Sequence, residues 1–541
     1  MEGMVSHRAL SWPRRWSARR IARPAAALVV LVFAAWLPFG SMLWDAARGD
    51  VRFPALDDRF WSLSRASLLV AGGTALLAAL VGAPVGYLLA RVRVPGRAAL
   101  RALMIIPLLT PPYVTAIGWL HILGRQGPLN RALGALLGSE RPAIDPYTPA
   151  SAAWVLGLNA APLVGLLTVA ALSAADPDLE EDARLHGSAW STLWYVTLPM
   201  AAPAIASGAL LAFVLALGEF AVPSFYGVNV YALDAFARFG AFYDFGGGTA
   251  AALPMLLLAA LAFAGLRWVT DPRSGGDAEG AVAEPRLLEA GGWRWLALAG
   301  CLLPVALGAV VPLIALGTRA PALEDYAFAW RAGWRELLTG VGLASTSATL
   351  ALAGAVPVAW ALARAVSPWQ ARVGEALTLA PLAIPGTVIG IGLIRLWNRE
   401  APMMWVYQGP LIVVLGHVAR SLPYAAAALA VAWRSVPVAI EEAARIAGAS
   451  PVRTARQVLF PLLRPGLVAA WCLAFVVGMT ELQVTLLVLP PGWTTLAVRV
   501  FTLQHDGQAE NVAALCLILA AATLLPVAAV WALAGRRPVD G

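Results

Sequence analysis

Three charged residues lie inside or at the edges of long apolar stretches of this sequence: Glu219, Glu481 and Arg420. An ionised side chain within a bilayer costs several kcal/mol unless it is paired or faces water. Because carboxylate oxygens are ligands that suit hard cations, the two glutamates and the arginine are candidates for lining a translocation pathway. The structural alternative is that each glutamate pairs with an arginine or with backbone amides and fixes the packing. The sequence leaves both interpretations open.

Other residue types that do chemistry are present but not in patterns that support it. His121 and His417 stand alone near apolar stretches, where a histidine is more often a packing residue than a ligand. The three cysteines, Cys301, Cys472 and Cys516, lack the spacing of metal ligands, which favours a buried apolar role. No nucleophile is paired with a base. We therefore predict no catalytic residue, no metal ligand and no cofactor.

The sequence contains no lysine, so all 39 of its positive side chains are arginine. A phosphate-binding loop of the GxxxxGK type is therefore impossible in this chain. If ATP powers this protein, another polypeptide must hydrolyse it.

The elements that must position these residues are membrane helices. The chain has 541 residues, of which 60% are hydrophobic and 13% charged, and its mean hydropathy is +0.72. A bilayer core needs about 20 apolar residues per helix, and every backbone polar group must find its partner there. The sequence thus predicts an all-α polytopic membrane protein with about twelve transmembrane helices. The expected spans lie near residues 24–44, 67–90, 100–122, 149–172, 198–218, 250–268, 294–316, 340–363, 376–396, 410–432, 465–488 and 511–534.

Arginine placement predicts the orientation of these helices. Clusters of arginine occur within residues 14–23, 91–101 and 434–456, and one topology places all three on the same side. Since loops rich in positive charge stay in the cytoplasm, both termini are expected there. The first apolar stretch lacks a clear cleavage site, which favours a retained anchor. The net charge of +8 then reflects orientation and not nucleic-acid binding.

The two halves of the sequence resemble each other. Residues 82–91 (GAPVGYLLAR) match residues 354–364 (GAVPVAWALAR), and PLLTPP at 107–112 matches PLAIPG at 381–386. Six spans per half is an even number, so the repeats are parallel and related by an axis along the membrane normal. We expect a first half at 1–269, a polar cytoplasmic linker at 270–292 and a second half at 293–541. Helix breaks or kinks are expected at the prolines Pro111, Pro112 and Pro385.

A loop in each half carries the strongest functional signal. In the second half, residues 435–465 begin SVPVAIEEAARIAGASP, in which Ser435 with Pro437 can start a helix. Gly448 can take the left-handed conformation that ends that helix, and Ser450 can cap the next one. In the first half, residues 176–200 repeat the pattern. There the expected cap is Asp176 with Pro177 at the first position, the stop is Gly187 and the next cap is Ser188.

These loops resemble the EAA loop of ABC importer permeases, in copies at Glu181–Gly187 and Glu442–Gly448. In that family the loops form coupling helices that dock on two cytoplasmic ATPase subunits, and an external binding protein delivers the substrate. The resemblance implies the type I ABC importer permease fold and alternating access. The first copy departs from the pattern at Asp182, so its coupling is expected to be weaker or specialised. The residues to which the coupling role carries over are Glu181, Ala183, Gly187, Glu442, Ala443, Ala444 and Gly448.

The resemblance also suggests a substrate. Residues 107–124 (PLLTPPYVTAIGWLHILG) and 420–425 (RSLPYA) look like the ferric-iron, thiamine, phosphonate and polyamine branch of the family. The run ELQVTLLVLPPGWTTLAVRVF at 481–501 is similar to ferric-iron permeases, which makes iron(III) the expected substrate and the others the alternatives. An ion-coupled secondary transporter can also contain two parallel six-helix repeats. It does not explain the paired glycine-turn loops.

Overall fold

The computed structural model describes residue 27 and residues 29–45, 56–138, 142–240, 242, 244–269, 287–289 and 291–534. Across these ranges the regular secondary structure is helical, apart from a single β-bridge between Val92 and Leu288. The arginine-rich start and most of the expected linker at 270–292 lie outside the described residues.

The helices fall into two sets of eleven that follow the same order. The first set is α1 (29–45), α2 (Asp58–Arg91), α3 (Arg97–Leu109), α4 (Pro112–Leu123), α5 (Pro128–Leu137), α6 (Pro149–Ala174), α7 (Pro177–His186), α8 (Ala189–Gly218), α9 (Ala221–Phe225), α10 (Tyr231–Gly240) and α11 (Phe245–Val269). The second set is α12 (Gly291–Arg319), α13 (Leu323–Ala363), α14 (Pro368–Ala383), α15 (Gly386–Trp397), α16 (Met403–Gln408), α17 (Leu411–Arg434), α18 (Val438–Ile446), α19 (Pro451–Thr480), α20 (Gln483–Val488), α21 (Leu496–Asp506) and α22 (Ala509–Ala534). Each helix of the first set thus has its counterpart eleven helices later.

Membrane-spanning length and hydropathy are found in nine helices of the described ranges, or in eleven if each of two bent helix pairs counts as one span. The expected first span at 24–44 is helical from residue 29 onward, and its start lies outside the described residues. These findings confirm an all-α polytopic membrane protein. The expected span at 465–488 is wrong at its end, because α19 stops at Thr480. The carboxylate of Glu481 accepts the N–H of Val484 at 3.0 Å and starts a separate short helix there.

Two helices are broken within the bilayer region, at matching positions of the repeat. The α3–α4 pair bends by 87° and the α14–α15 pair by 95°. The breaks fall at Pro111 and Pro385, as the sequence predicts. In lipid, a freed carbonyl must find another donor. The side chain of Asn159 on α6 donates to Thr110 O at 3.1 Å, and Arg420 on α17 donates to Ile384 O at 3.0 Å.

The first long helix of each half packs against the other half. An added Cβ at Gly118 on α4 would lie 2.5 Å from the carbonyl oxygen of Pro312 on α12. At the matching place, Gly392 on α15 lies against the backbone of Pro38 on α1. Only glycine allows two helix backbones to come this close. The two halves therefore exchange their first helices and share one apolar core.

Replacement of Gly118 by valine tests this exchange. The added side chain must push α12 away from α4, and overpacking of this kind costs about 1–3 kcal/mol. We expect a lower midpoint of thermal unfolding in detergent, followed by tryptophan fluorescence. The matched control is Gly342→Val on α13, where no atom lies within 4 Å of the added carbon. Equal destabilisation by the two variants would contradict the close approach.

Candidate functional site

The loop of the first half is attached to a membrane helix by a buried ion pair. Arg91 is the last residue of α2, and its Nε lies 2.9 Å from Glu180 Oε1 on α7. Their side chains are only 1% and 4% exposed. Arg184, one turn further along α7, reaches the second oxygen of Glu180 at 3.3 Å. The position of α7 therefore depends on the end of α2.

The second half repeats this attachment. Arg364, directly after α13, lies 2.9 Å from Glu441 Oε1 on α18, and it also donates to Val436 O at 2.7 Å. This pair is more accessible, with side-chain exposures of 12% and 17%. Neither ion pair was predicted. The sequence did contain a signal for these ion pairs. Arg91 and Arg364 end the matching segments 82–91 and 354–364, and each loop has a second glutamate directly before Glu181 or Glu442.

The second loop has the predicted glycine turn. Helix α18 ends at Ile446, and Gly448 takes a φ of +78°, the left-handed region that favours glycine. Ser450 then caps the next helix by accepting the N–H of Arg453 at 3.3 Å. The helix start differs from the prediction, because Ser435 does not cap it. Its hydroxyl donates back to Ala432 O at 2.8 Å, and α18 begins directly after Pro437.

The first loop has the predicted caps but a different turn. Asp176 caps α7, and Ser188 caps α8 by accepting the N–H of Ser191 at 3.1 Å. Gly187 does end α7, as predicted, but its backbone is extended, with a φ of −153°. A side chain there would meet Ser191 Oγ at 2.5 Å. Gly187 therefore does not form a left-handed turn, and a side chain there would have to displace the Ser191 hydroxyl.

The residues assigned to coupling lie at or near the surface of these loops. Gly187, Glu442, Ala443 and Gly448 are exposed. The others, Glu181, Ala183 and Ala444, are partly exposed.

The sequence analysis missed two highly exposed apolar side chains that the two loops place at matching positions. Leu185 is 81% exposed and Ile446 is 88% exposed. They occupy the same position of the repeat, two residues before the glycine, and that match was a signal in the sequence.

The three intramembrane charges come together where α8, α17 and α19 approach one another. Glu481 follows α19 and is 8% exposed. Its Oε1 accepts the N–H of Val484, and its Oε2 lies 3.3 Å from Arg420 Nε. The structural interpretation, a glutamate paired with an arginine and a backbone amide, therefore holds for Glu481.

Glu219 has a different environment. One carboxylate oxygen accepts the N–H groups of Ala221 at 2.8 Å and Val222 at 3.4 Å, and the other lies 3.5 Å from Gln483 Nε2. No arginine among the described residues lies within ion-pair distance of it. The repeat explains the difference. Asn159 stands three residues before Pro162, as Arg420 stands three before Pro423, so a neutral amide replaces the guanidinium.

The lone histidine on α17 is a packing residue. His417 is 2% exposed, and its Nε2 lies 2.8 Å from the hydroxyl of Thr485. The three cysteines are buried, in agreement with their expected apolar role. Across the described ranges, no group of three or more His, Cys, Asp or Glu side chains is arranged to hold a metal ion.

Helices broken at matching positions, exchanged first helices and a pair of matched loops define a polytopic membrane protein built from two repeats. The chain matches the family described as binding-protein-dependent transport system inner membrane component twice, over residues 82–273 and 355–535. The chain belongs to this family of ABC importer permeases, and it is a multi-pass inner membrane protein.

Individual relatives differ in how much of the chain they match. A protein of Salmonella paratyphi A named as a 2-aminoethylphosphonate transport system permease is 32% identical over 36% of this chain and 72% of its own length. A ferric transport system permease of Actinobacillus pleuropneumoniae is 23% identical over 82% of this chain and 66% of its own. An Fe(3+)-transport system permease of Haemophilus influenzae is 26% identical over 82% of this chain and 84% of its own length. The chain is thus similar along most of its length to fused two-half ferric permeases.

The ion pair of Arg91 predicts a strong effect on stability. Replacing Arg91 by alanine leaves the carboxylate of Glu180 buried without its main partner, which costs about 3–5 kcal/mol. The matched control is Arg93→Ala, because Arg93 is 65% exposed and its ion pair with Glu289 lies at the surface. That change is expected to stay within about 0.5 kcal/mol. Thermal unfolding in detergent measures both.

A double variant distinguishes the loss of the Arg91–Glu180 ion pair from the loss of the volume of the arginine side chain. Arg91→Met with Glu180→Leu removes both charges, and replacement of a buried pair by apolar side chains is often neutral. We expect it to recover most of the stability lost in Arg91→Ala. The ion pair would have no role in fixing the loop if Arg91→Ala and Arg93→Ala unfolded at the same temperature.

Proposed function

We propose that this chain forms the complete membrane channel of an ATP-driven importer for iron(III). Its two permease halves, 1–269 and 293–541, are joined by a cytoplasmic linker at 270–292. The observation that carries the proposal is the pair of matched loops, each held by an arginine–glutamate ion pair at the end of a long membrane helix.

Each loop offers a docking surface for one of two cytoplasmic ABC ATPase subunits. Leu185 and Ile446 project their apolar side chains outward beside the exposed Gly187 and Gly448. Because the ion pairs hold the other side of each loop, a displacement of the loops by ATP binding moves α2 and α13 as well. These helices cross the membrane, so the motion reaches the pathway. The chain itself carries out no hydrolysis.

The two loops differ in ways that favour unequal coupling. In the first, Asp182 stands where the second has Ala443, the turn is extended at Gly187, and the ion pair is almost fully buried. The second loop has the left-handed turn at Gly448 and a partly accessible ion pair. The first loop is therefore the more rigidly held of the two.

The pathway for the substrate passes the carboxylates of Glu219 and Glu481. Arg420 compensates the charge of Glu481, whereas no described arginine pairs with Glu219. Glu219 thus offers carboxylate oxygens that no described arginine engages, and such oxygens suit a hard cation. Glu219 is the residue we assign to direct contact with the cation.

Iron(III) is the favoured substrate because the relatives named as ferric permeases match 82% of this chain, against 36% for the phosphonate permease. Thiamine, phosphonate and polyamine are the alternatives within the family. A separate periplasmic binding protein delivers the substrate to the outer face. The bilayer surrounds the channel, both termini lie in the cytoplasm, and no nucleic acid takes part.

The test is ATP hydrolysis in proteoliposomes that contain this chain, its ATPase and its binding protein. We expect iron-loaded binding protein to stimulate hydrolysis, and the double change Glu442→Ala and Gly448→Val to abolish the stimulation. Stimulation by thiamine or a phosphonate alone would overturn the substrate. Uptake driven by a proton gradient without any bound ATPase would favour an ion-coupled secondary transporter instead.

The assignment of Glu219 to the cation gives a second prediction. Glu219→Gln is expected to slow iron uptake by about tenfold or more, equivalent to about 1.4 kcal/mol. The matched control is the double change Arg319→Gln with Glu510→Gln, which removes a surface ion pair whose side chains are 43% and 44% exposed, so it is expected to keep most of the uptake. Flux of radioactive iron into proteoliposomes measures both. Equal loss in the two variants would contradict direct contact between Glu219 and the cation.

A further inference from the structure

Three helix ends from both halves meet beside Glu219. They are the end of α8 at Gly218, the start of α15 at Gly386 and the start of α20 at Gln483. The first and last turns of a helix contain N–H and C=O groups that have no partner within the helix. Within a bilayer such groups need partners from elsewhere.

The side chain of Gln483 supplies partners to both halves at once. Its Nε2 donates to Gly218 O in the first half at 2.9 Å and lies 3.5 Å from Glu219 Oε2. Its Oε1 accepts the N–H of Gly386 in the second half at 2.9 Å. Gln483 is 8% exposed, and a Cβ at Gly386 would lie 2.6 Å from Oε1. One buried amide therefore bridges the contact between the halves.

The repeat provides this bridge only once. The residue that matches Gln483 in the first half is Ala221, which has no polar side chain. The residue that matches Gly386 is Pro112, which has no N–H to donate. At this contact, separation of Gly218 from Gly386 therefore has to break hydrogen bonds of the Gln483 side chain.

Two buried hydroxyls, one directly after Gly386 and one at the matching position of the first half, have the opposite effect. Thr387 follows Gly386, and Tyr113 occupies the matching position of the first half. Both are nearly inaccessible, at 0% and 3% exposure, and neither hydroxyl has a hydrogen-bond partner among the described residues. A buried polar group without a partner costs about 1–3 kcal/mol, which is recovered when water enters. The closed arrangement is thus opposed by the groups that surround it.

We propose that Gln483 is the latch that holds the translocation pathway closed, and that a cation bound at Glu219 weakens it. Opening moves Gly218 away from Gly386, so Gln483 must release at least one of them, and water then reaches the freed groups and the two hydroxyls. A cation on the Glu219 carboxylate brings positive charge next to the N–H donors of Gln483, which weakens their hydrogen bond. This inference deepens the proposed function and rests on it for the identity of the pathway.

The test follows pathway opening by thiol labelling, which does not depend on iron uptake. Thr387→Cys is introduced into a chain in which Cys301, Cys472 and Cys516 are replaced by alanine, and a water-soluble methanethiosulfonate reagent is added. In the resting complex we expect slow labelling. Gln483→Leu is expected to speed it about tenfold, and to raise ATP hydrolysis in the absence of binding protein.

The control for a general loosening of the protein is Gln408→Leu at the exposed end of α16, which is expected to label as slowly as the parent. A second variant, Gln483→Glu, keeps the size of the side chain but places a carboxylate beside Glu219. It is expected to label fast, and adding Glu219→Gln is expected to slow the labelling again by restoring a donor–acceptor pair.

The outcomes separate the two proposals. Slow labelling of both Gln483 variants, in a complex that still responds to iron-loaded binding protein, would overturn the latch and leave the importer intact. Fast labelling of both, with restoration by Glu219→Gln, would support the latch. A parent complex that never responds to binding protein would overturn the proposed function, whatever the labelling rates.

Discussion

The rest of this structure depends on one constraint, which is that backbone polar groups in a bilayer must have partners inside the protein. A transport pathway needs broken helices, and every break exposes carbonyl and amide groups. Asn159 and Arg420 satisfy the breaks before α4 and α15, while Gln483 satisfies the ends of α8 and α15. The polar residues at the centre of the membrane therefore maintain the fold and the pathway at the same time.

The same repeat is used unequally in the two halves. Asparagine replaces Arg420 in the first half, alanine replaces Gln483, and the loop ion pairs differ in accessibility. A channel made of two identical chains would have to keep these positions the same on both sides of its axis. Fusion of the halves removes that requirement, so one side can present a carboxylate without a described arginine partner while the other pairs its carboxylate with Arg420.

Much of the fold was predictable because its signals are local. Apolar runs of sufficient length give the membrane helices, and the prolines at 111 and 385 give the breaks. The turn at Gly448 follows from a single residue type. The partners of Arg91 and Gln483 were not predictable in this way, because they are 89 and 265 residues distant in sequence. The early end of α19 at Thr480 was missed because apolar residues recur beyond Glu481, at Leu482, Val484 and Leu486, so the apolar stretch does not end there.

The exchange of the first helices has a consequence for biosynthesis. Ser41 on α1 donates to Gly392 O, a partner that is 351 residues further along the chain. At about 5–20 residues per second, the ribosome needs about 20–70 s to produce that partner after α1 has entered the membrane. During this time the face of α1 that later packs on α15 is in contact with lipid or with the insertion machinery. Helix α1 thus reaches this neighbour only after the ribosome has added 351 further residues.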